Sequence, residues 1–214
     1  MRSKYPDRRV AGQVLAAQLS HSANLPGAIV LALPRGGVPV AHEVARELGL
    51  PLDVFIVRKL GVPGHEELAM GAIASGGIRV LNRQIIDDFG LPEEAIEAIT
   101  AAESAELQRR ERLYRAHRLP PDLRGRTVIL VDDGLATGST MRAAVAAVRE
   151  QAAARVIVAV PVAPPDTCDT LARQADEMIC PLRPHNFEAV GQWYEDFAQT
   201  TDEEVRTLLE PPVN

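Results

Sequence analysis

The chain has few cysteines and no long apolar segments. It contains only Cys168 and Cys180, with no CxxC pair, which argues against a disulfide framework or a cysteine-rich zinc site and favours two thiols in a reducing compartment. No apolar stretch approaches the roughly 18 residues that a membrane-spanning helix requires. The N-terminal residues carry charge with no apolar segment behind them, so no secretory signal is expected. These absences predict a cytoplasmic protein without a membrane partner.

Aromatic residues and positive charge are also scarce. Aromatic residues make up 4% of the chain, and the net charge is −6. Because a broad nucleic-acid surface needs an excess of cations, nucleic acid is not an expected partner. With 46% hydrophobic and 24% charged residues, the 214-residue chain has an ordinary globular composition. Its length fits a single domain over residues 1–214.

Apolar runs of strand length recur along the chain, at residues 28–33, 52–57, 128–131 and 156–160. Most are continuously apolar, which is typical of parallel strands covered on both faces. Helical patterns follow the first run over 38–48 and the third over 141–152, where Ser139 or Thr140 is the candidate N-cap. A leading helix is expected over 7–19. Strands that alternate with helices predict an α/β fold with a doubly wound, mainly parallel sheet flanked by helices.

Two stretches lie outside this alternation. Residues 92–118 form a long charged helical pattern, acidic at its start and basic at its end, which complements the helix dipole. A solvated helix, a dimer or subdomain contact, and a basic nucleic-acid patch over 109–118 all remain open for it, and a homodimer is one expectation. Residues 181–197 show no repeating period and concentrate aromatic side chains.

The most informative segment is 128–140, with the sequence VILVDDGLATGST. A buried strand leads directly into Asp132 and Asp133, then into a polar loop and a helix start. Ligands of open α/β sheets bind outside the carboxyl ends of the strands, and a helix N-terminus suits a phosphate. Because two carboxylates would repel a bare phosphate, the ligand must also carry hydroxyls or a cation. A phosphorylated sugar meets this requirement.

This segment resembles the signature by which type I phosphoribosyltransferases bind 5-phosphoribosyl 1-diphosphate (PRPP). It has four apolar residues, two acidic residues, three variable residues and then Thr-Gly-Ser-Thr. The resemblance implies a type I phosphoribosyltransferase fold with a small hood, and ribose 2′- and 3′-hydroxyls bound by Asp132 and Asp133. It implies a 5′-phosphate bound by Ala136, Thr137, Gly138, Ser139 and Thr140.

Two further elements agree with this resemblance. Residues 33–37, LPRGG, follow the first strand, and in the family this position is the pyrophosphate loop, so Arg35, Gly36 and Gly37 are expected to bind PRPP. The glycines let backbone N–H groups come close, and the arginine offers a fork of donors to phosphate oxygens. Arg58 and Lys59, at the end of the second predicted strand, are expected to face the same crevice.

The Gly/Pro-rich segment 60–67, which follows Arg58 and Lys59, has the size of a mobile lid that would exclude water. An ordinary surface loop is the alternative reading of this segment.

The implied reaction transfers the phosphoribosyl group from PRPP to a nitrogenous acceptor and releases pyrophosphate. Asp132, Asp133, Arg35 and Lys59 are the expected catalytic residues. Mg²⁺ is expected to arrive with PRPP and to balance the charge of the leaving group, without a dedicated metal site in the protein. The alternative function is a PRPP-binding regulatory protein that has the same fold and little or no turnover.

The acceptor is less well defined, and a nucleobase is expected. Residues 181–197 are the candidate hood, with Phe187, Trp193 and Tyr194 as stacking faces. Ala136 stands where family members that act on hypoxanthine and guanine usually have an aspartate, which argues against 6-oxopurines. The segments RKLGVPGHEELAMGAIASGG and AVGQWYEDFAQTTDEEV resemble a bacterial group of phosphoribosyltransferases with no assigned acceptor.

Overall fold

The structure is a computed structural model that describes residues 4–115 and 118–210, apart from the side chains of residues 66 and 67. The helices are α1 Arg8–Gln18, α2 Gly37–Leu48, α3 Arg83–Asp88, α4 Glu93–Arg115, α5 Ser139–Glu150, α6 Pro165–Ala172 and α7 Asp202–Leu209. The strands are β1 Ile29–Ala32, β2 Leu52–Val54, β3 Val57–Val62, β4 His65–Ala74, β5 Ile78–Leu81, β6 Thr127–Val131, β7 Arg155–Ala159 and β8 Glu177–Ile179. Residues 116 and 117 of the predicted long helix lie outside the described residues.

Five strands form the main sheet, in the order β2-β1-β6-β7-β8, and every neighbouring pair is parallel. Helices α2, α5 and α6 connect successive strands of this sheet. Alternate residues of each central strand enter different hydrophobic cores, as Ile129 and Leu130 do in β6. The strands are continuously apolar because both faces of the sheet are covered. The predicted α/β fold, a mainly parallel sheet flanked by helices, is confirmed.

A second, antiparallel sheet has the order β3-β4-β5, and the prediction for residues 52–57 needs correction because of it. These residues are not one strand, since β2 ends at Val54 and β3 begins at Val57. Phe55 and Ile56 lie between them and are each 2% exposed, so the apolar run continues across the break between the sheets.

This second sheet also changes where Arg58 and Lys59 lie. Both residues are inside β3, rather than at the carboxyl end of a main-sheet strand. The segment 60–67, predicted as a loop, is largely strand as well, because β3 continues to Val62 and β4 begins at His65.

The start of α5 differs from the predicted cap. The N-cap residue is Gly138, with φ at 69°, and Ser139 is the first residue of the helix, so neither Ser139 nor Thr140 is the cap. Glycine is favoured here because residues that carry a side chain rarely adopt a left-handed backbone conformation. At α1 the cap is Asp7, whose carboxylate accepts a hydrogen bond from the Val10 N–H at 2.7 Å.

The C-terminal aromatic segment packs against the beginning of the chain. Apart from a short 3-10 turn over Val190–Trp193, residues 181–197 are irregular. The Tyr5 N–H donates to the Trp193 carbonyl at 2.9 Å, and the Glu195 N–H donates to the Tyr5 carbonyl at 2.8 Å. Tyr5 and Tyr194 also share a small hydrophobic core with Val162. Tyr5 therefore belongs to the same structural unit as the candidate hood.

Candidate functional site

The two adjacent carboxylates follow β6 directly. Asp132 Oδ1 accepts a hydrogen bond from the Asp133 N–H at 2.9 Å. Asp133 Oδ2 accepts one from Arg8 Nε at 2.8 Å, and the side chains of Asp133 and Arg8 are only 13% and 12% exposed. The Tyr194 hydroxyl donates to the Asp133 carbonyl at 2.6 Å. The pair therefore lies in a mostly enclosed setting with a guanidinium on one side.

This setting changes the acidity of both carboxyl groups. Burial raises the pKa of Asp132 well above its usual range, and the neighbouring Asp133 carboxylate raises it further. Burial also raises the pKa of Asp133, but the Arg8 guanidinium opposes that effect. Asp132 is therefore the harder of the two carboxyl groups to ionise, and Asp133, next to Arg8, is the easier one.

The predicted pyrophosphate loop packs onto the same pair. A Cβ atom at Gly36 would overlap Asp133 Oδ2, and one at Gly37 would lie 2.8 Å from the Val131 carbonyl oxygen. Only glycines allow this contact between the turn after β1 and the carboxylates after β6. Arg35 is half-exposed beside them, with Nη1 3.8 Å from an oxygen of Asp202. The structure thus brings the two predicted halves of the PRPP site together.

The loop between Asp133 and α5 is open to solvent at its tip. Ala136 and Thr137 are exposed, and the hydroxyl of Thr167 in α6 donates to the Ala136 carbonyl at 2.7 Å. Ser139 and Thr140, both half-buried, are the first two residues of α5. Because the first amides of a helix have no partners within it, this end can receive an anion such as a phosphate.

The two basic residues of β3 have different surroundings. Arg58 Nε lies 2.6 Å from a carboxylate oxygen of Glu103 in α4. Lys59 is exposed and lines a cavity of about 830 Å³ together with Ser139 and Arg142. The side chains of successive strand residues point to opposite faces of a sheet, so Arg58 and Lys59 lie on opposite faces of β3. The structure brings Lys59 near the start of α5 and directs Arg58 to α4.

The three predicted stacking residues also differ. Tyr194 is 3% exposed, and its ring centroid lies 5.6 Å from that of Tyr5, so it presents no free face. Phe187 and Trp193 are half-buried and stack on each other, with centroids 6.5 Å apart. Tyr194 therefore supports Asp133 through its hydroxyl, and Phe187 and Trp193 remain candidates for an acceptor.

Arg8 is the site residue that sequence reasoning missed. Its Nη1 donates to the Ala198 carbonyl at 2.7 Å, and its guanidinium carbon lies 3.9 Å from the centroid of the Phe197 ring. One signal was present in the sequence, because Arg8 and Arg9 open a helix whose first turn has no acidic residue. Cations there oppose the helix dipole, which points to a partner outside the helix.

The basic end of α4 is partly neutralised by ion pairs. Arg109 and Arg110 each lie 2.7 Å from a carboxylate oxygen of Glu106. Arg115 is 2% exposed at its side chain and pairs with Asp53 at 3.0 Å. This geometry does not favour a basic nucleic-acid surface on the helix. Among the residues that the structure describes, no helix is long and apolar enough to cross a membrane.

The sheet and its polar edge define an α/β protein whose candidate site lies at the carboxyl ends of parallel strands. The sequence profile of the phosphoribosyl transferase domain matches residues 8–197, and the chain belongs to this family. The match begins at Arg8 and ends at Phe197, so it includes both sides of the contact between the N-terminal helix and the C-terminal segment.

Three relatives illustrate the family. A Mycobacterium tuberculosis protein, provisionally named a phosphoribosyl transferase, is 46% identical over 206 residues, which are 96% of this chain and 46% of that protein. The chain thus spans about half the length of this relative. The crystal structure of TT1426 from Thermus thermophilus superposes with a TM-score of 0.87 at 43% identity, and covers 96% of this chain and 97% of that one. The bifunctional protein PyrR of Chloroflexus aurantiacus is 33% identical over 118 residues, 54% of this chain and 59% of that protein.

Proposed function

We propose that this protein transfers the phosphoribosyl group of Mg–PRPP to a nitrogenous acceptor and releases pyrophosphate. The observation that carries the proposal is the packing of the turn at Gly36 and Gly37 directly onto the carboxylates of Asp132 and Asp133. PRPP carries two ribose hydroxyls between a 5′-phosphate and a pyrophosphate. A carboxylate pair flanked by an arginine-glycine turn and a helix N-terminus matches these three groups in chemical type.

The carboxylates would act on the ribose. In the reaction the bond between C1 and the pyrophosphate oxygen breaks, and its electron pair leaves with pyrophosphate. Positive charge then develops on the ribose ring, close to the hydroxyls that Asp132 and Asp133 would bind. A fixed negative charge there stabilises the transition state more than the ground state.

Negative charge develops on the pyrophosphate as it leaves, and positive groups nearby would stabilise it. Arg35 and Lys59 are the side chains proposed to balance the pyrophosphate, together with the Mg²⁺ that the substrate carries. Lys59 lies on a hairpin strand, and movement of this hairpin towards the site would exclude water. The acceptor nitrogen then forms the new bond to C1 and releases its proton.

The acceptor is proposed to be a nucleobase held beneath residues 181–197. Phe187 and Trp193 are half-buried aromatic residues of this segment, and such rings stack on flat heterocycles. Ala136 lacks the carboxylate expected for hypoxanthine and guanine, so 6-oxopurines should be poor acceptors.

The test measures pyrophosphate release from Mg–PRPP with a panel of nucleobases and simple amines. We expect release with one acceptor class and a loss of at least about 10²-fold in Asp133→Asn, which removes a charge that acts in the transition state. Asp88→Asn is the matched control, because Asp88 is an exposed carboxylate at the end of α3.

The regulatory alternative predicts a different pattern. A PRPP sensor would bind Mg–PRPP, lose binding in Asp133→Asn, and release no pyrophosphate with any acceptor. Release that survives in Asp133→Asn would count against the proposed site.

A further inference from the structure

Three segments that are far apart in sequence meet at Asp133. Arg8 of α1 donates Nε to Oδ2 at 2.8 Å, Gly36 packs against the same oxygen, and the Tyr194 hydroxyl donates to the backbone carbonyl at 2.6 Å. The hydrogen bond from Arg8 goes to Oδ2, whereas Oδ1 lies farther from the turn, 3.3 Å from the place of a Cβ at Gly36. Arg8 therefore holds the carboxylate through one oxygen, and Oδ1 is the oxygen we assign to a ligand.

Arg8 is itself held in one orientation. Its Nη1 donates to the Ala198 carbonyl at 2.7 Å, and the Phe197 ring lies against the guanidinium at 3.9 Å. A planar guanidinium fixed by a carbonyl and a ring face loses little further freedom when it binds a carboxylate. The charge beside Asp133 is thus a preorganised one.

We propose that Arg8 is a positioning residue for the sugar site, which holds the Asp133 carboxylate so that one oxygen accepts a ribose hydroxyl of PRPP. The proposal rests on the proposed function, because it takes PRPP as the ligand. Since Arg8 also contacts Phe197 and Ala198, one side chain connects the donor site to the segment proposed to cover the acceptor.

The charged and titratable groups around Asp133 come from three elements. Asp132 is on the same loop, Arg8 is on α1, and Tyr194 is on the C-terminal segment. The turn after β1 contacts Asp133 through Gly36, while Arg35 beside it lies 3.8 Å from Asp202. Arg8 is therefore the cation that contacts Asp133 in the described structure.

Removal of Arg8 should have a signature that depends on pH. Burial raises the pKa of Asp133, and Arg8 opposes that rise, so Arg8→Ala should raise this pKa further and reduce the ionised fraction at neutral pH. We expect Mg–PRPP affinity to fall about tenfold at neutral pH, the size expected for losing a hydrogen bond to a charged group. The deficit should grow at lower pH and shrink as the pH rises, because a higher pH favours the ionised carboxylate even without Arg8. A purely structural role would give a deficit that does not change with pH.

The experiment is a calorimetric titration of the full chain with Mg–PRPP from about pH 6 to about pH 9, a range that spans raised carboxyl pKa values. Arg8→Lys keeps the positive charge without the planar fork, so it should bind more weakly but keep the pH profile of the wild type. Arg9→Ala is the matched control, because Arg9 is the next residue of α1 and is exposed. Wild-type affinity in Arg8→Ala, tighter binding, or a uniform loss would each overturn the proposal.

A second readout separates this proposal from the proposed function. The carboxyl ¹³C resonance of Asp133, assigned by its absence in Asp133→Asn, is titrated in the ligand-free protein. We expect a higher pKa in Arg8→Ala than in the wild type, and an unchanged titration would overturn the role of Arg8 even if PRPP binds. A third outcome is that the pKa of Asp133 is higher in Arg8→Ala but the wild-type protein does not bind Mg–PRPP. This outcome would refute the proposed function and leave the coupling of Arg8 to Asp133 intact.

Discussion

At the carboxyl end of β6, two neighbouring carboxylates are held in a mostly enclosed setting beside a single guanidinium. Asp133 has Arg8 as a direct partner, whereas Asp132 has the N–H of its neighbour. Burial of a second negative charge opposes folding, because its desolvation is only partly offset. Asp132 is thus a residue at which the requirements of the site and of stability conflict.

The variant Asp132→Asn should be more stable than the wild type at alkaline pH. The folded protein raises the pKa of Asp132 well above its unfolded value, so the stability that its neutral form contributes is present at low pH and lost as the pH rises through the raised pKa. Asparagine is neutral throughout and keeps an oxygen for the Asp133 N–H. The stability difference should therefore be largest near about pH 9 and close towards about pH 4, the ordinary value for aspartate.

Urea unfolding at several pH values checks this expectation. The exposed Asp88→Asn serves as the control and should change stability little at any pH, as surface substitutions usually do. Destabilisation of Asp132→Asn at alkaline pH would mean that the ionised carboxylate is well compensated in the folded protein.

At the scale of secondary structure, the main sheet could be read from the sequence because its physical cause is local. Strands buried on both faces must be largely apolar, and four of the five strands in the main sheet overlap such runs, with β6 and β7 beginning one residue earlier. The antiparallel sheet has no comparable signal. Strand β4 contains glycine and several alanines, which have low β-propensity, and β5 has only four residues. The strands of this sheet adopt their conformation because they pair with one another, rather than because of their own sequences.

The distinction between local and long-range causes also explains which site residues could be predicted from the sequence. Asp132, Asp133, Gly36 and Gly37 lie in short contiguous motifs, so their chemistry is visible in the sequence. Arg8 is 125 residues from its partner Asp133. The surroundings of Lys59 could not be predicted either, since they depend on which face of β3 it occupies.

A buried ion pair joins helix α4 to the main sheet. Arg115, at the end of α4, donates to Asp53 of β2 at 3.0 Å and to the Val54 carbonyl at 2.6 Å. Arg115→Ala would leave Asp53 buried without this partner, and we expect a loss of about 3–5 kcal/mol in the free energy of unfolding. Arg112→Ala, an exposed arginine one turn earlier, should change it by less than about 0.5 kcal/mol. Chemical denaturation measures both, and equal effects would show that the buried pair adds little.

On the scale of the whole molecule, the proposed PRPP site draws on nearly every part of the chain. Arg8 comes from the first helix, Gly36 from the turn after β1, Lys59 from the antiparallel sheet and Asp133 from the loop after β6, the central strand of the main sheet. The C-terminal segment contributes the Tyr194 hydroxyl. A ligand that bridges these parts favours the folded chain as a unit, since the unfolded chain cannot assemble the site.

Binding of Mg–PRPP should therefore raise the thermal stability of the whole chain. At a ligand concentration of 100 times Kd the folded state gains about 2.7 kcal/mol, which corresponds to a rise in Tm of about 5 to 10 °C for a chain of this size. Ribose 5-phosphate, which keeps the hydroxyls and the 5′-phosphate but lacks the pyrophosphate, should give a smaller rise at the same concentration. Differential scanning calorimetry of the wild type and Asp133→Asn checks this, because the variant should lose most of the rise with either ligand. An equal rise in both proteins would place the bound ligand away from Asp133 and contradict the site.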